Sequence, residues 1–126
     1  MIHEPEIEKT RQLLTALCRA NKDIHGGALI SENGRVLTHT FGEERFSRRV
    51  GMVVGALLNL FQFQHDTLRI GTFRELLLEG NGRSALVYGI GKVMLLLVLR
   101  KDANIGLVSL EGGKTAKEIS YEFLDF

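Results

Sequence analysis

Residues 84–100 read "SALVYGIGKVMLLLVLR", two apolar runs separated by Gly-Ile-Gly. Each run is too short for a stable helix and the glycines permit a tight reversal, so the stretch predicts a hairpin of strands Ser84–Ile90 and Lys92–Arg100. Val93–Leu99, "VMLLLVL", is apolar at every position and hence on both faces of a strand. Such a strand belongs inside a sheet that is covered above and below. The same letters contain "YGIGKV", the tail of a phosphate-binding loop in outline. That loop needs a glycine at the start of G-x-x-x-x-G-K-[ST] and a hydroxyl at its end, so that backbone N–H groups wrap the phosphates and the hydroxyl meets Mg²⁺. Leu86 and Val93 occupy those places. A second near match, "LEGGKTAKE", has Val108 where the first glycine belongs and follows "NIGLVSLE", which has helical spacing. Neither stretch is a nucleotide site.

Working back from the hairpin, "GNG" at Gly80–Gly82 turns the chain out of a further strand over Thr72–Glu79, to which "LRIG" at Leu68–Gly71 leads in. Upstream, Glu43 to about Gln64 changes to a helical period. Phe46, Val50, Val53, Val54, Leu57, Leu58 and Phe61 form a broad apolar face, and Glu43 and Glu44 suit the positive end of the helix dipole. Ser47, Gly51, Gly55 and Asn59 recur every fourth residue as a stripe of mostly small side chains, flanked by Arg45, Arg48, Arg49, Met52 and Ala56. Each internal glycine costs about 1 kcal/mol of helix propensity against alanine. Close approach of another backbone compensates, supplied either by the chain's own sheet or by a partner helix.

Earlier still, "GGALISENGRVLTHTF" predicts a hairpin of Ala28–Ser31 against Arg35–Thr40, with a type I′ turn at Asn33-Gly34. Pro5, favoured at the first position of a helix, opens a segment to about Ala20 with Ile7, Leu14, Leu17 and Cys18 on one side. Beyond the central hairpin, Ile105, Val108, Gly112, Ala116, Ile119 and Phe123 line one stripe of a last helix that begins near Asn104. Gly112 and Ala116 then mark a thin spot where that helix presses on a neighbour.

The chain has 126 residues and a formal charge of +1, enough for one core and one domain over 1–126, with an N-terminal helix at about 5–20 and a core from about 26. The opening "MIHEPEIEKTRQ" is polar and acidic, unlike a secretory signal. "VMLLLVL" falls far short of the roughly 20 apolar residues that cross a bilayer. Cys18 is the single cysteine, so no internal disulfide forms. A cytoplasmic protein with no membrane insertion is expected. His3, His25, His39 and His65 show no metal-binding spacing, so neither a metal nor another cofactor is expected. No G-x-S-x-G turn presents a serine, and Cys18 on an apolar helix side reads as a buried thiol. The carboxylate pairs Glu43–Glu44 and Glu75–Glu79 fit helix-start and strand-edge roles better than acid–base work. Arg45, Arg48 and Arg49 are the compact basic cluster, and with no aromatic between them for base stacking nucleic acid is not an expected partner.

The order of these elements, carried by "GGALISENGRVL", "EERFSRRVGMVVGALLNLF", "FRELLLEGNGRSALVYGIGKVMLLLVL" and "NIGLVSLE", resembles the roadblock family of dynein light chains and bacterial regulators of Ras-like GTPases. The resemblance spans nearly the whole chain. It implies an α+β fold, helix-β-β-helix-β-β-β-helix, in which a five-stranded antiparallel sheet carries the long helix on one face and the terminal helices on the other. It further implies a homodimer with joined sheet edges and adjacent long helices, its interface taking in Gly51, Gly55, Asn59, Phe73 and Leu77. The function it implies is non-catalytic: a Ras-like small GTPase is bound through Arg45, Arg48, Arg49 and Met52 and its nucleotide state modulated. The alternatives are an adaptor that dimerises within a larger assembly without affecting GTP hydrolysis, and a small-molecule sensor, which would need a pocket with convergent polar groups. Gly112 and Gly113 depart from the family's stronger helix formers and put the straightness of the last helix in question.

Overall fold

A computed structural model describes residues 4–42, 49–57 and 74–122. Helix α1 spans Glu4–Ala20, strands β1 and β2 span Ile24–Ser31 and Val36–His39, and residues 49–57 form helix α2. Strands β3, β4 and β5 follow at Glu75–Leu78, Ser84–Ile90 and Val93–Leu99, and helix α3 runs over Ile105–Glu122. The strands make one antiparallel sheet in the order β2-β1-β5-β4-β3. The run that is apolar on both faces thus lies at the centre, and every residue from Val93 to Leu99 is buried. This is the α+β roadblock-like order and layering expected from the sequence.

Alternation along the strands sends side chains to two separate cores. Leu95, Leu97 and Leu99 join Leu29 and Leu86 under Leu14 and Leu17 of α1 and Val108, Ala116 and Ile119 of α3. Met94, Leu96 and Val98 face the other way, with Ala28, Ile30, Val87 and Phe41, and Val54 of α2 packs on them. Polar contacts fix how the covering helices sit. At the end of α1 the Asn21 amide donates to Glu111 Oε2 of α3 at 3.1 Å, and its Oδ1 accepts the Asp23 N–H. Asn104 caps α3 by accepting the Leu107 N–H at 3.1 Å. Helix α3 is continuous through Gly112 and Gly113.

The first hairpin differs from expectation in its turn. Gly34 alone has positive φ, 86°, whereas a type I′ turn needs it at both central residues. The Gly34 N–H instead donates to the Ser31 carbonyl and the Ser31 N–H to the Arg35 carbonyl. This is a three-residue loop in which a left-handed glycine closes the turn. The other edge strand is shorter than expected, Glu75–Leu78 against Thr72–Glu79, and Phe73 lies outside the described residues. Strand β4 has the expected bounds, and β5 differs only at its ends. Among the described residues, no helix is long and apolar enough to cross a membrane.

Candidate partner-docking site

Helix α2 is held down by its small residues. A Cβ on Gly55 would lie 2.5 Å from Gly34 Cα and 2.8 Å from Gly34 N, and one on Gly51 would lie 2.6 Å from Val36 Cγ2. The helix therefore sits directly on the β1–β2 turn, backbone against backbone, a contact that any larger side chain at Gly55 would prevent. Of the two readings of the glycine stripe, close packing within the chain holds for Gly51 and Gly55. Both are buried in the protomer. Asn59, the next member of the stripe, lies outside the described residues.

Seating the glycines inward turns part of the expected core face outward. Val54 is buried and Val50 half-buried, but Val53 is 60% exposed and Met52 71% exposed, and Leu57 and Arg49 also face solvent. Val53 and Leu57, members of the broad apolar face read from periodicity, are the apolar part of an outer surface. Arg45 and Arg48 fall outside the described residues, so of the arginine cluster Arg49 alone is placed, with Met52 one turn of the helix farther on. Leu77, 41% exposed, lies on edge strand β3 and faces the α3 side of the sheet, opposite to Leu76 and Leu78.

Between α2 and the far half of the sheet runs an apolar groove of about 620 Å³. Val54, Leu96, Val98 and Ala85 form its floor, Val50, Val53 and Leu78 its sides, and Arg49, Glu79 and Arg83 contribute charge. Sequence reasoning missed Arg83, which follows Gly80-Asn81-Gly82 and reads as a turn residue. The signal was nevertheless present: strand alternation puts position 83 in phase with Ala85 and Val87, which face α2. Glu75 and Glu79 do not form a carboxylate pair. Glu75 accepts a 2.7 Å hydrogen bond from Ser109 Oγ on α3, whereas Glu79 lines the groove.

At the groove's end, Val98 pairs with Gly26 on one side and Ala85 on the other. This brings His25, Arg83 and Arg100 to one end of the sheet. The His25 imidazole is held below its usual value by burial and by the charges of Arg83 and Arg100. Phe41 lies over Gly26, with its ring centroid 6.2 Å from those of His25 and His39. Cys18 is half-buried on α1 with Sγ 3.6 Å from Thr40 Oγ1, and burial pushes its thiol pKa up, away from a nucleophile's range. Among the described residues, no three of His, Cys, Asp and Glu are grouped to hold a metal.

No protein-family model matches the sequence, and no curated protein matches it either. Solved structures do. An MglB in a tetrameric arrangement is 20% identical, with a TM-score of 0.84, covering 97% of this chain and 93% of that one. Myxococcus xanthus MglB is 16% identical, with a TM-score of 0.88 over 99% of this chain and 95% of that one. A Roadblock/LC7 domain from Streptomyces avermitilis is 15% identical, with a TM-score of 0.80 over 90% of this chain and 97% of that one. At these identities the likeness establishes the fold, and this chain has the roadblock fold.

Proposed function

We propose that the protein is a dimeric, non-catalytic regulator that binds a Ras-like small GTPase and favours one of its nucleotide states. The observation that carries the reading is the surface of α2. A helix seated on its own sheet by two glycines shows Met52, Val53 and Leu57 to solvent beside Arg49, an apolar and basic face with no partner among the described residues. Exposed apolar residues grouped on one element mark an interaction surface, and methionine adapts its shape to a partner. The likeness to MglB supports the same reading.

Dimerisation is proposed through the outer edge of β3, with Leu77, and the Val53 flank of α2, which leaves Arg49 and Met52 to the GTPase. On the described residues β3 pairs with β4 alone, which leaves one row of its backbone groups for a second copy. The tetrameric arrangement of the MglB neighbour is consistent with edges and faces that self-associate.

The test is equilibrium binding of a Ras-like GTPase loaded with a non-hydrolysable GTP analogue or with GDP. A regulator must bind the two forms unequally, because only differential affinity shifts a switch. The expected result is tighter binding of the GTP form, weakened by replacing Arg45, Arg48 and Arg49 with alanine or by Met52→Ser. Equal affinity for both forms would favour the adaptor, and no binding to either would end the GTPase reading.

A further inference from the structure

We infer that the β1–β2 turn is the second element of the GTPase-docking surface, and that Arg35 at its end pairs with a carboxylate of the docked GTPase. This contact deepens the proposed function and rests on its premise that a GTPase meets Arg49 and Met52. Val53 lines the groove, and Met52 stands on the opposite flank of α2, against the turn. A Cβ on Gly34 would lie 3.5 Å from Met52 Cα and 3.0 Å from the Gly51 carbonyl oxygen. A partner that touches Met52 therefore lies beside the turn as well. A specific interface takes about 800 Å² from each partner, a patch roughly 30 Å across, whereas a helix is about 10 Å wide, so the contact spreads to what borders α2. On the Val53 side the proposed second copy takes that place. On the Met52 side the described residues offer the turn.

The turn is fixed before any partner arrives. The Gly34 N–H donates to the Ser31 carbonyl and the Ser31 N–H to the Arg35 carbonyl, both at 2.9 Å, and the Glu32 N–H donates to the Lys92 carbonyl at 3.1 Å. Ser31 Oγ donates to Asn33 Oδ1 and accepts the Arg35 N–H at 3.1 Å. A loop already held in one shape loses little conformational entropy on binding. Asn33 is committed to the turn by these bonds. Arg35 is exposed, and among the described residues its side chain has no hydrogen bond or ion pair. It lies between Gly34 and Val36, both of which meet α2, Val36 with Cγ2 2.6 Å from where a Cβ on Gly51 would stand. Glu32, the other charged residue of the turn, is held toward β5 by its N–H, on the side away from β2. A guanidinium that a docking protein covers needs an acceptor, and a carboxylate supplies two parallel hydrogen bonds at once.

The experiment measures association and dissociation rates of the full chain on an immobilised Ras-like GTPase carrying a non-hydrolysable GTP analogue. Arg35→Ala is expected to speed dissociation about tenfold, because truncating one member of a covered charge pair acts on the off-rate. Arg35→Lys should recover only part of the loss, since an ammonium lacks the two-pronged geometry. Glu32→Ala should leave dissociation as in the parent, and the melting temperature and oligomeric state of all three variants should be unchanged. A change confined to the association rate would mean that Arg35 acts through its field alone, and overturns the pairing. A fall in melting temperature that accounts for the loss of binding overturns it too, since Arg35 would then be structural. If Arg35→Ala dissociates like the parent while Met52→Ser dissociates faster, the GTPase premise stands and the turn lies outside the contact. If the parent binds no GTPase in either nucleotide form, the premise falls and the pairing falls with it.

Discussion

The two faces of the sheet are built from the same central strand yet finished differently. On one, Leu95, Leu97 and Leu99 are covered by two helices that also meet each other, and the side chains close over the strand. On the other, Met94, Leu96 and Val98 are buried beside α2, but an apolar groove remains along them. The closed face uses large residues to fill space. Among the described residues, the open face uses glycines to bring one helix close to the β1–β2 end of the sheet, and a groove remains toward the β3–β4 end. The first face is thereby the more tightly packed of the two.

That contrast breaks down unless the two faces respond differently to truncation. Removing a buried leucine typically costs about 2–5 kcal/mol, and the spread depends on the cavity left behind. Leu97→Ala empties a site enclosed by both helices and should cost toward the upper end. Leu96→Ala, equally buried but bordering a groove that already exists, should cost distinctly less. Chemical denaturation of the two variants gives the comparison directly, and equal losses would mean that the open face is as tightly packed as the closed one.

Glycines offer a sharper version. Gly55 and Gly112 both lie under helices, but a Cβ on Gly55 meets the backbone of Gly34, whereas one on Gly112 meets Tyr88 Oη at 2.6 Å and Leu97 Cδ1 at 2.8 Å. Side-chain ends can give way and backbone cannot, so Gly55→Ala is expected to lose about 1–3 kcal/mol as an overpacked contact. Gly112→Ala should lose less, since both changes gain up to about 1 kcal/mol of helix propensity but only the side-chain ends at Gly112 can move aside. Calorimetric melting of the pair that ranked Gly112→Ala as the worse change would show that α2 is not seated on the turn.

How much of this was legible in the sequence follows from what periodicity encodes. It states which residues share a face, and so it gave the bounds of β4, the central place of β5 and the thin spot of α3 at Gly112. It does not state what a face touches. The stripe of Gly51 and Gly55 was visible, but its neighbour, Gly34 in a turn far back in the chain, became known only when the fold brought them together. For the same reason the broad apolar face of α2 did not separate buried Val54 from exposed Val53 and Leu57, because an apolar residue that faces outward has the same letter as one that faces the sheet. The turn at Gly34 was mistyped because Asn-Gly suits two loops, and the hydrogen bonds of Ser31 select between them. Arg83 was overlooked for a further reason: it borders a glycine turn, and its significance lies in the groove rather than in any motif.

The smallest expected effect belongs to the closed face and concerns a polar tie between α3 and the sheet. Tyr88 is buried under α3 and donates its hydroxyl proton to the Ser109 carbonyl at 3.1 Å, in the helix whose Ser109 side chain also reaches Glu75. Burial, helped by the Glu75 charge, raises the Tyr88 pKa from its ordinary value near 10 to about 12. The folded protein therefore keeps this proton at pH values where the unfolded chain loses it. The stabilisation is complete below pH 10 and is lost as the pH rises from 10 toward about 12. Tyr88→Phe should cost about 0.5–1.5 kcal/mol at neutral pH, the usual net worth of one hydrogen bond. It should also flatten the fall in stability across that alkaline window, while leaving the α2 side and its partner binding untouched. Urea titrations at pH 8 and pH 11 on both proteins test the sign: a parent no more sensitive to alkali than the phenylalanine variant would mean that the hydroxyl is solvated and that the face is not closed at Tyr88.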